Sequence, residues 1–185
     1  MKNFKQLIQD FSKKYPHKQE YTERAFKLLE KYQNNPTRPF FRDCFDDGHF
    51  TGSMLVVNTE KTKILLMHHK KLGTWQQFGG HADGDTDIRT VAIREFEEES
   101  GIFRSDADVS QEILNIDVHL VPAKNAEPEH FHYDISFLAL IDEKTSFQKQ
   151  DLEVEDIQWF ELSEVTKELD SGKYSSGMVR MIENI

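Results

Sequence analysis

The spacing of apolar positions changes along this chain, and the change divides it. In the first part they recur every three or four residues. Phe4, Leu7, Ile8 and Phe11 share one helical face, and Tyr21, Ala25, Leu28, Leu29 and Tyr32 share another. Tyr15-Pro16 separates the two faces, because a residue before proline is pushed out of the α region. Asn34-Asn35-Pro36 ends the second. Each helix is too short and too one-sided to be stable alone in water. The pattern predicts a helical extension over residues 1–45, packed on the rest of the chain or on a second copy in a homodimer. A helix lying on a membrane surface is disfavoured, since the polar faces carry both signs of charge.

From His49 onward the apolar residues follow strand spacing. Residues 51–57 and 63–68 form a predicted hairpin around the turn 58–62. A polar loop is expected at 106–110, a strand at 112–121, a loop at 122–129 and a long strand at 131–141. On that last strand His130, His132 and Asp134 alternate to one side, and Tyr133, Ile135 and Phe137 to the other. Residues 142–151 are polar, 157–160 form a short closing strand, Ser163 caps a helix through Leu169, and a final helix runs from Ser176 to Asn184. Hairpin, helix, strands and helix in that order predict a mixed sheet with helices on both faces.

The helix between the strands is unusual. It follows Gly79-Gly80, is capped by Asp85 or Thr86, and ends at Gly101, where a left-handed cap is expected. Ile88, Val91 and Ala92 make its apolar stripe. Glu95, Glu98 and Glu99 continue that stripe at i, i+3 and i+4, so three carboxylates follow the buried positions. Such a cluster is costly without a positive partner. Hard divalent cations take oxygen ligands, and Mg²⁺ commonly uses a few carboxylates together with substrate phosphates. A solvated acidic face is the plainer reading of a glutamate run. The stripe, Arg94 and the glycine pair speak for the cation.

The segment from Gly80 to Ile102 resembles the signature box of the Nudix hydrolases. Gly80, Arg94, Glu95, Phe96, Glu98, Glu99, Gly101 and Ile102 stand at its fixed positions, and Thr86 stands where the family usually has Glu. The resemblance extends to a strand ending in His68, the Lys71-Leu72-Gly73 loop, Trp75 and Gly79-Gly80-His81. Phe78 occupies a position where one subgroup carries Pro, which would loosen the segment before Gly79. The resemblance implies an α/β fold, a Nudix-type α/β/α sandwich with a mixed sheet over residues 46–185, and is silent on residues 1–45. It implies a Mg²⁺-dependent hydrolase, with Mn²⁺ as a substitute, that cleaves a diphosphate linkage in a nucleoside diphosphate joined to another group. It makes Glu95, Glu98 and Glu99 the metal ligands, with the Gly80 carbonyl as a further one. Arg94 would hold Glu95, and either Glu95 or a loop carboxylate (Glu127, Glu129, Glu153 or Glu155) would be the general base. Trp75, His81, His132 and Asp134 are candidates for substrate contacts; His130, His132 and Asp134 also alternate as metal ligands would on a strand, though a polar sheet face is favoured over a zinc site. Each has a plainer reading: a core tryptophan, a histidine that satisfies its own loop, and a polar sheet face. Lys70 and Lys71 are candidates for phosphate contacts, against ordinary exposure.

Thr86 and Phe78 keep a second reading open, a nucleotide-binding regulatory module with little turnover. No feature favours an isomerase on the same fold.

Composition adds limits. A net charge of −10 argues against nonspecific binding to nucleic acid or to an anionic membrane. It does not oppose a nucleotide substrate where a bound cation reverses the local sign. One cysteine, Cys44, permits no intrachain disulfide and is expected to be buried and inert, consistent with a cytoplasmic location. No apolar run resembles a signal peptide or a membrane span.

Overall fold

The computed structural model describes residues 3–124, 126–149 and 153–185. Residues 1 and 2 of the predicted extension, Asn125 of the 122–129 loop, and Gln150 and Asp151 of the 142–151 loop lie outside them.

Both predicted N-terminal helices form, α1 at Phe4–Lys14 and α2 at Gln19–Lys31. Asn3 caps α1 by accepting from the Gln6 N–H at 2.9 Å. The apolar stripes face the chain's own sheet. Ile8, Phe11, Ala25 and Leu28 join one core with Phe50, whose ring lies 5.1 Å from Phe4 and 5.0 Å from Phe40. Polar ties reinforce the seam. The Lys18 ammonium donates to Asn115 Oδ1 at 2.7 Å, and Tyr32 Oη donates to Asp47 Oδ2 at 2.7 Å.

The strands are β1 His49–Asn58, β2 Lys63–His69, β3 Thr74–Gln76, β4 Phe78–His81, β5 Ala107–Val109, β6 Asn115–Val121, β7 His130–Ile141 and β8 Val154–Glu161. They form one mixed sheet centred on β1, which runs parallel to β7 and antiparallel to β2 and β4. Strands β2 and β4 share the same edge of β1. One pairs near Val56 and the other from Thr51 to Met54, so the sheet forks between them.

Three short strands were not among those expected, β3, β4 and β5, the last of them in a segment expected as loop. Segments of three or four residues show too little alternation to reveal a strand; they are strands because a neighbour offers them an edge. The C-terminal region also differs. The helix α4 spans only Leu162–Val165, begins before Ser163, and gives way to a 3₁₀ turn at Leu169–Ser171. Helix α5 is Ser176–Ile182, capped by Ser175, whose Oγ accepts from the Met178 N–H at 3.2 Å.

Helix α3, Ile88–Ser100, and the extension cover one face of the sheet, over Met54, Val56, Ile135 and Phe137. Helices α4 and α5 cover part of the other face, over Leu55, Val57, Ile64 and Leu66. The result is an α/β/α sandwich. No helix among the described residues is long and apolar enough to cross a membrane.

Register makes the second face polar at one end. His49, His132 and His119 are partners across β1, β7 and β6. The next row on the same face is His81, Thr51, Asp134 and Asp117 across β4, β1, β7 and β6, and the third contains Ser53, Ser136 and Asn115. The rows between them, which include Gly80, Gly52, Ile135 and Ile116, face α3.

Candidate active site

Helix α3 starts one residue later than its expected caps. Asp87 is the cap, accepting from the Thr90 N–H at 3.2 Å, while Asp85 accepts from the Asp87 N–H at 2.9 Å and shapes the turn before it. Thr86 therefore caps nothing. It is exposed on the wall of a cavity of about 880 Å³, shared with Phe4, Leu7, Phe40 and Ile88. At the other end Gly101 takes the expected left-handed conformation, φ 69°, and its N–H donates to Glu97 O at 3.0 Å.

The buried stripe runs Ile88, Val91, Ala92, Phe96 and Glu99. Phe96 takes the place in the core where the sequence pattern suggested Glu95. The three carboxylates consequently sit at different depths: Glu99 is buried, Glu95 half-buried and Glu98 exposed. Their oxygens do not all lie within 4.8 Å of one another.

Two of the three meet the glycine strand. The Gly79 N–H donates to Glu99 Oε2 at 2.9 Å. A Cβ on Gly80 would fall 2.4 Å from Glu95 Oε2, so the missing side chain is what lets the carboxylate seat there. Gly52, the cross-strand partner of Gly80, is pressed in the same way. A Cβ on it would lie 2.9 Å from Ile88 O and 3.0 Å from Ala92 N. Arg94 Nη2 donates to Glu95 Oε1 at 2.7 Å and to His81 O at 2.8 Å, tying helix, carboxylate and strand with one guanidinium. Burial pushes the Glu95 carboxyl above its ordinary range, and Arg94 pulls against that shift.

The loop from β4 to α3 is held by residues just before β1. Phe40 O accepts from the Gly84 N–H at 2.9 Å, the Phe41 ring packs on Gly84, and Arg42 makes a bidentate pair with Asp83 at 2.7 and 2.6 Å. Arg42 had no signal in the sequence, because its partner is set by tertiary contact alone.

Phe78 does not loosen the segment before Gly79. It is fully buried and meets Phe96 edge-on at 5.5 Å, so its ring fills the space beneath α3. The half-buried Trp75 packs its ring on Phe160 at 4.7 Å and His68 at 5.1 Å. Glu153 is paired with Lys71 at 2.8 Å and Glu155 with His68 at 2.7 Å, which commits both carboxylates and Lys71 to partners. Cys44 is buried, 3.6 Å from the Tyr32 hydroxyl.

The polar sheet face contains the remaining candidates. Asp134 is buried and accepts from Thr51 Oγ1 at 2.9 Å, Ser53 Oγ at 2.6 Å and Ser136 Oγ at 3.2 Å. Burial raises its pKa against those hydroxyls. His81 and His132 lie together with a residue the sequence reading passed over, His49. The ring centroids are 4.7 Å apart for His49 and His132, 5.2 Å for His49 and His81, and 5.3 Å for His81 and His132. Burial lowers the pKa of all three, to about 3 for His49 and about 2 for His132, so the rings are neutral at pH 7. His49 sits at the first position of its strand, on the polar side of the alternation. That parity was the available signal.

A family model, the NUDIX domain, matches residues 48–180. Among solved structures the chain is similar to a C. elegans Ap4A hydrolase in a binary complex, with 19% identity over 73% of this chain and 93% of that one, TM-score 0.57. It is similar to the NUDIX domain of Shewanella oneidensis NrtR complexed with ADP ribose, with 17% identity over 84% and 94%, TM-score 0.57. It is also similar to the E. coli dihydroneopterin triphosphate pyrophosphohydrolase, with 12% identity over 72% and 92%, TM-score 0.56. At these identities the likeness is one of fold. The comparison with curated proteins found no match.

Proposed function

This chain belongs to the Nudix family of hydrolases, and from that premise we propose that it cleaves a diphosphate linkage in a nucleoside diphosphate joined to a second group, using Mg²⁺ or Mn²⁺. The observation that carries the reading is the joint between α3 and β4, where Arg94 fixes Glu95 against Gly80 and Glu99 receives the Gly79 N–H.

The donor set suits a hard divalent cation. It is all oxygen, its three carboxylates lie on one helix, and its outermost member, Glu98, is open to solvent. Glu95, Glu98, Glu99 and the Gly80 carbonyl would hold the cation. When bound, it would neutralise the diphosphate and lower the pKa of an attacking water. The chain's own part is orientation and proton transfer. Arg94 occupies Glu95 Oε1, leaving Oε2 on the Gly80 side. The proton that water loses on attacking phosphorus goes either to Glu95 or to a loop carboxylate such as Glu127 or Glu129. The structures of proteins named as hydrolysing Ap4A and dihydroneopterin triphosphate, and of one bound to ADP ribose, support a nucleotide or related diphosphate as substrate.

The test is a panel of dinucleoside polyphosphates, nucleoside diphosphate sugars and nucleoside triphosphates, with products separated by chromatography in Mg²⁺ and in excess chelator. Cleavage at a phosphoanhydride in Mg²⁺ alone is expected. Full turnover in chelator would refute the proposed chemistry.

A further inference from the structure

The carboxylates of α3 do not account for the histidines on the opposite face of the sheet. His49, His81 and His132 come from three adjacent strands, and each offers a ring nitrogen such that all three lie within 4.8 Å of one another. They are the only group of three or more metal-ligating side chains, among the described residues, gathered this closely. His49 is 1% exposed, and neither Nδ1 nor Nε2 has a hydrogen-bond partner. The Cys44 backbone favours the charged form of His49, ranking behind burial and the neighbouring His81 and His130, but no hydrogen bond of ordinary geometry reaches either nitrogen. A buried imidazole with two unsatisfied nitrogens carries a desolvation cost that a ligand would remove.

From this geometry we infer a metal site: His49, His81 and His132 bind one borderline divalent transition ion, Zn²⁺ foremost, through three imidazole nitrogens, with a fourth position open to water. Imidazole suits Zn²⁺, Cu²⁺ and Ni²⁺, whereas Mg²⁺ and Ca²⁺ prefer oxygen. Three protein ligands with an open position is a common catalytic arrangement for zinc.

The surroundings agree with this assignment. His130 Nδ1 lies 2.8 Å from the Pro128 carbonyl, which can only accept, so this nitrogen carries the His130 proton. The other ring nitrogen, Nε2, lies 3.2 Å from His132 Nε2. This contact between the two rings orients His132. A second hydrogen bond that fixes the tautomer and ring of a ligating histidine is the usual support of such sites. A bound ion would also clamp β4 to β1 and β7. Because His81 follows Gly80 and its carbonyl accepts from Arg94, the clamp would steady the strand on which Glu95 and Glu99 rest.

This inference does not depend on the proposed hydrolysis, and its test does not use activity. The full-length protein, stripped with chelator, is titrated with Co²⁺ and then Zn²⁺ in a large excess of Mg²⁺, reading visible absorption, metal content and thermal unfolding. One Co²⁺ per chain with the absorption of a four-coordinate ion is expected, displaced by Zn²⁺, with a rise in Tm. His81→Gln, at a partly exposed position, should weaken Zn²⁺ binding about 100-fold or more and abolish both the absorption and the rise in Tm. Glu98→Gln should retain both. No four-coordinate Co²⁺ in the wild type, the same signal in His81→Gln, or its loss in Glu98→Gln would overturn the assignment.

Discussion

Gly52 and Gly80 face each other across β1 and β4, and α3 lies directly on both. Two neighbouring strands lack side chains where the helix backbone and the Glu95 carboxylate press against them. Gly52 admits the helix backbone at Ile88 and Ala92, and Gly80 admits the Glu95 carboxylate. The position of the acidic group is thus set by the absence of two Cβ atoms.

Gly80→Ala follows from this contact. The added methyl would meet Glu95 Oε2 at 2.4 Å, so the carboxylate must leave its seat. A displacement of about 1 Å can cost on the order of 100-fold in rate. A fall of that size in kcat, with a cooperative thermal transition retained, is expected from steady-state kinetics and calorimetry. Wild-type kcat in the variant would show that the seat of Glu95 does not matter.

Thr86 is exposed and caps nothing, so Thr86→Glu has little to disturb. Its kcat is expected within several-fold of the wild type and its Tm within about 2 °C, since surface changes usually stay within ±0.5 kcal/mol. A variant that turns a nearly inactive wild type into an efficient enzyme would instead favour a regulatory module.

Arg42→Ala removes the bidentate hold on Asp83, in the loop that joins β4 to α3. The helix keeps its cap at Asp87, so the fold should survive. Faster amide exchange across residues 82–87 and a several-fold higher Mg²⁺ requirement are expected. Unchanged exchange in that loop would show that Phe40 and Phe41 hold it unaided.

Asp47 ties α2 to the start of the sheet through Lys31 and Tyr32. The Lys31 ammonium, followed by the Tyr32 hydroxyl, holds its carboxyl below the usual range. A depressed folded-state pKa contributes stability that is complete above the unfolded value of about 3.9 and is lost as pH falls through the folded value. Asp47→Asn should therefore lower Tm by roughly 2–4 °C at pH 7. In denaturant unfolding the gap to wild type should close as pH drops below about 4. A gap that stays constant to pH 3 would assign the effect to shape rather than charge.

Much of this architecture was legible because long elements repeat their pattern. The stripes of α1 and α2, the alternation of β1, β2 and β7, and the spacing of Arg94, Glu95, Glu98 and Glu99 each extend over many residues. What escaped depends on a distant partner. Residues 107–109 form a strand because β7 offers an edge beside Ala139 and Ile141. Phe78, read as a weak point, is core because Phe96 stands across from it. His49 looked like the ordinary start of a strand; only the parallel register of β1 and β7 sets it beside His132. The apolar stripe of α3 also turned further than the glutamates suggested, leaving Glu98 in solvent.

That exposure makes Glu98 the most direct probe of the proposed chemistry. Glu98→Gln keeps the shape, disturbs no core contact and removes one charge from the donor set. On a substrate identified from the nucleotide panel, kcat should fall by two or more orders of magnitude at saturating Mg²⁺, because charge stabilisation by a bound metal is worth several kcal/mol. The Mg²⁺ concentration for half-maximal rate should rise, and Tm should not change. Wild-type kcat and wild-type Mg²⁺ dependence in Glu98→Gln would contradict the assignment of hydrolysis to the acidic end of α3.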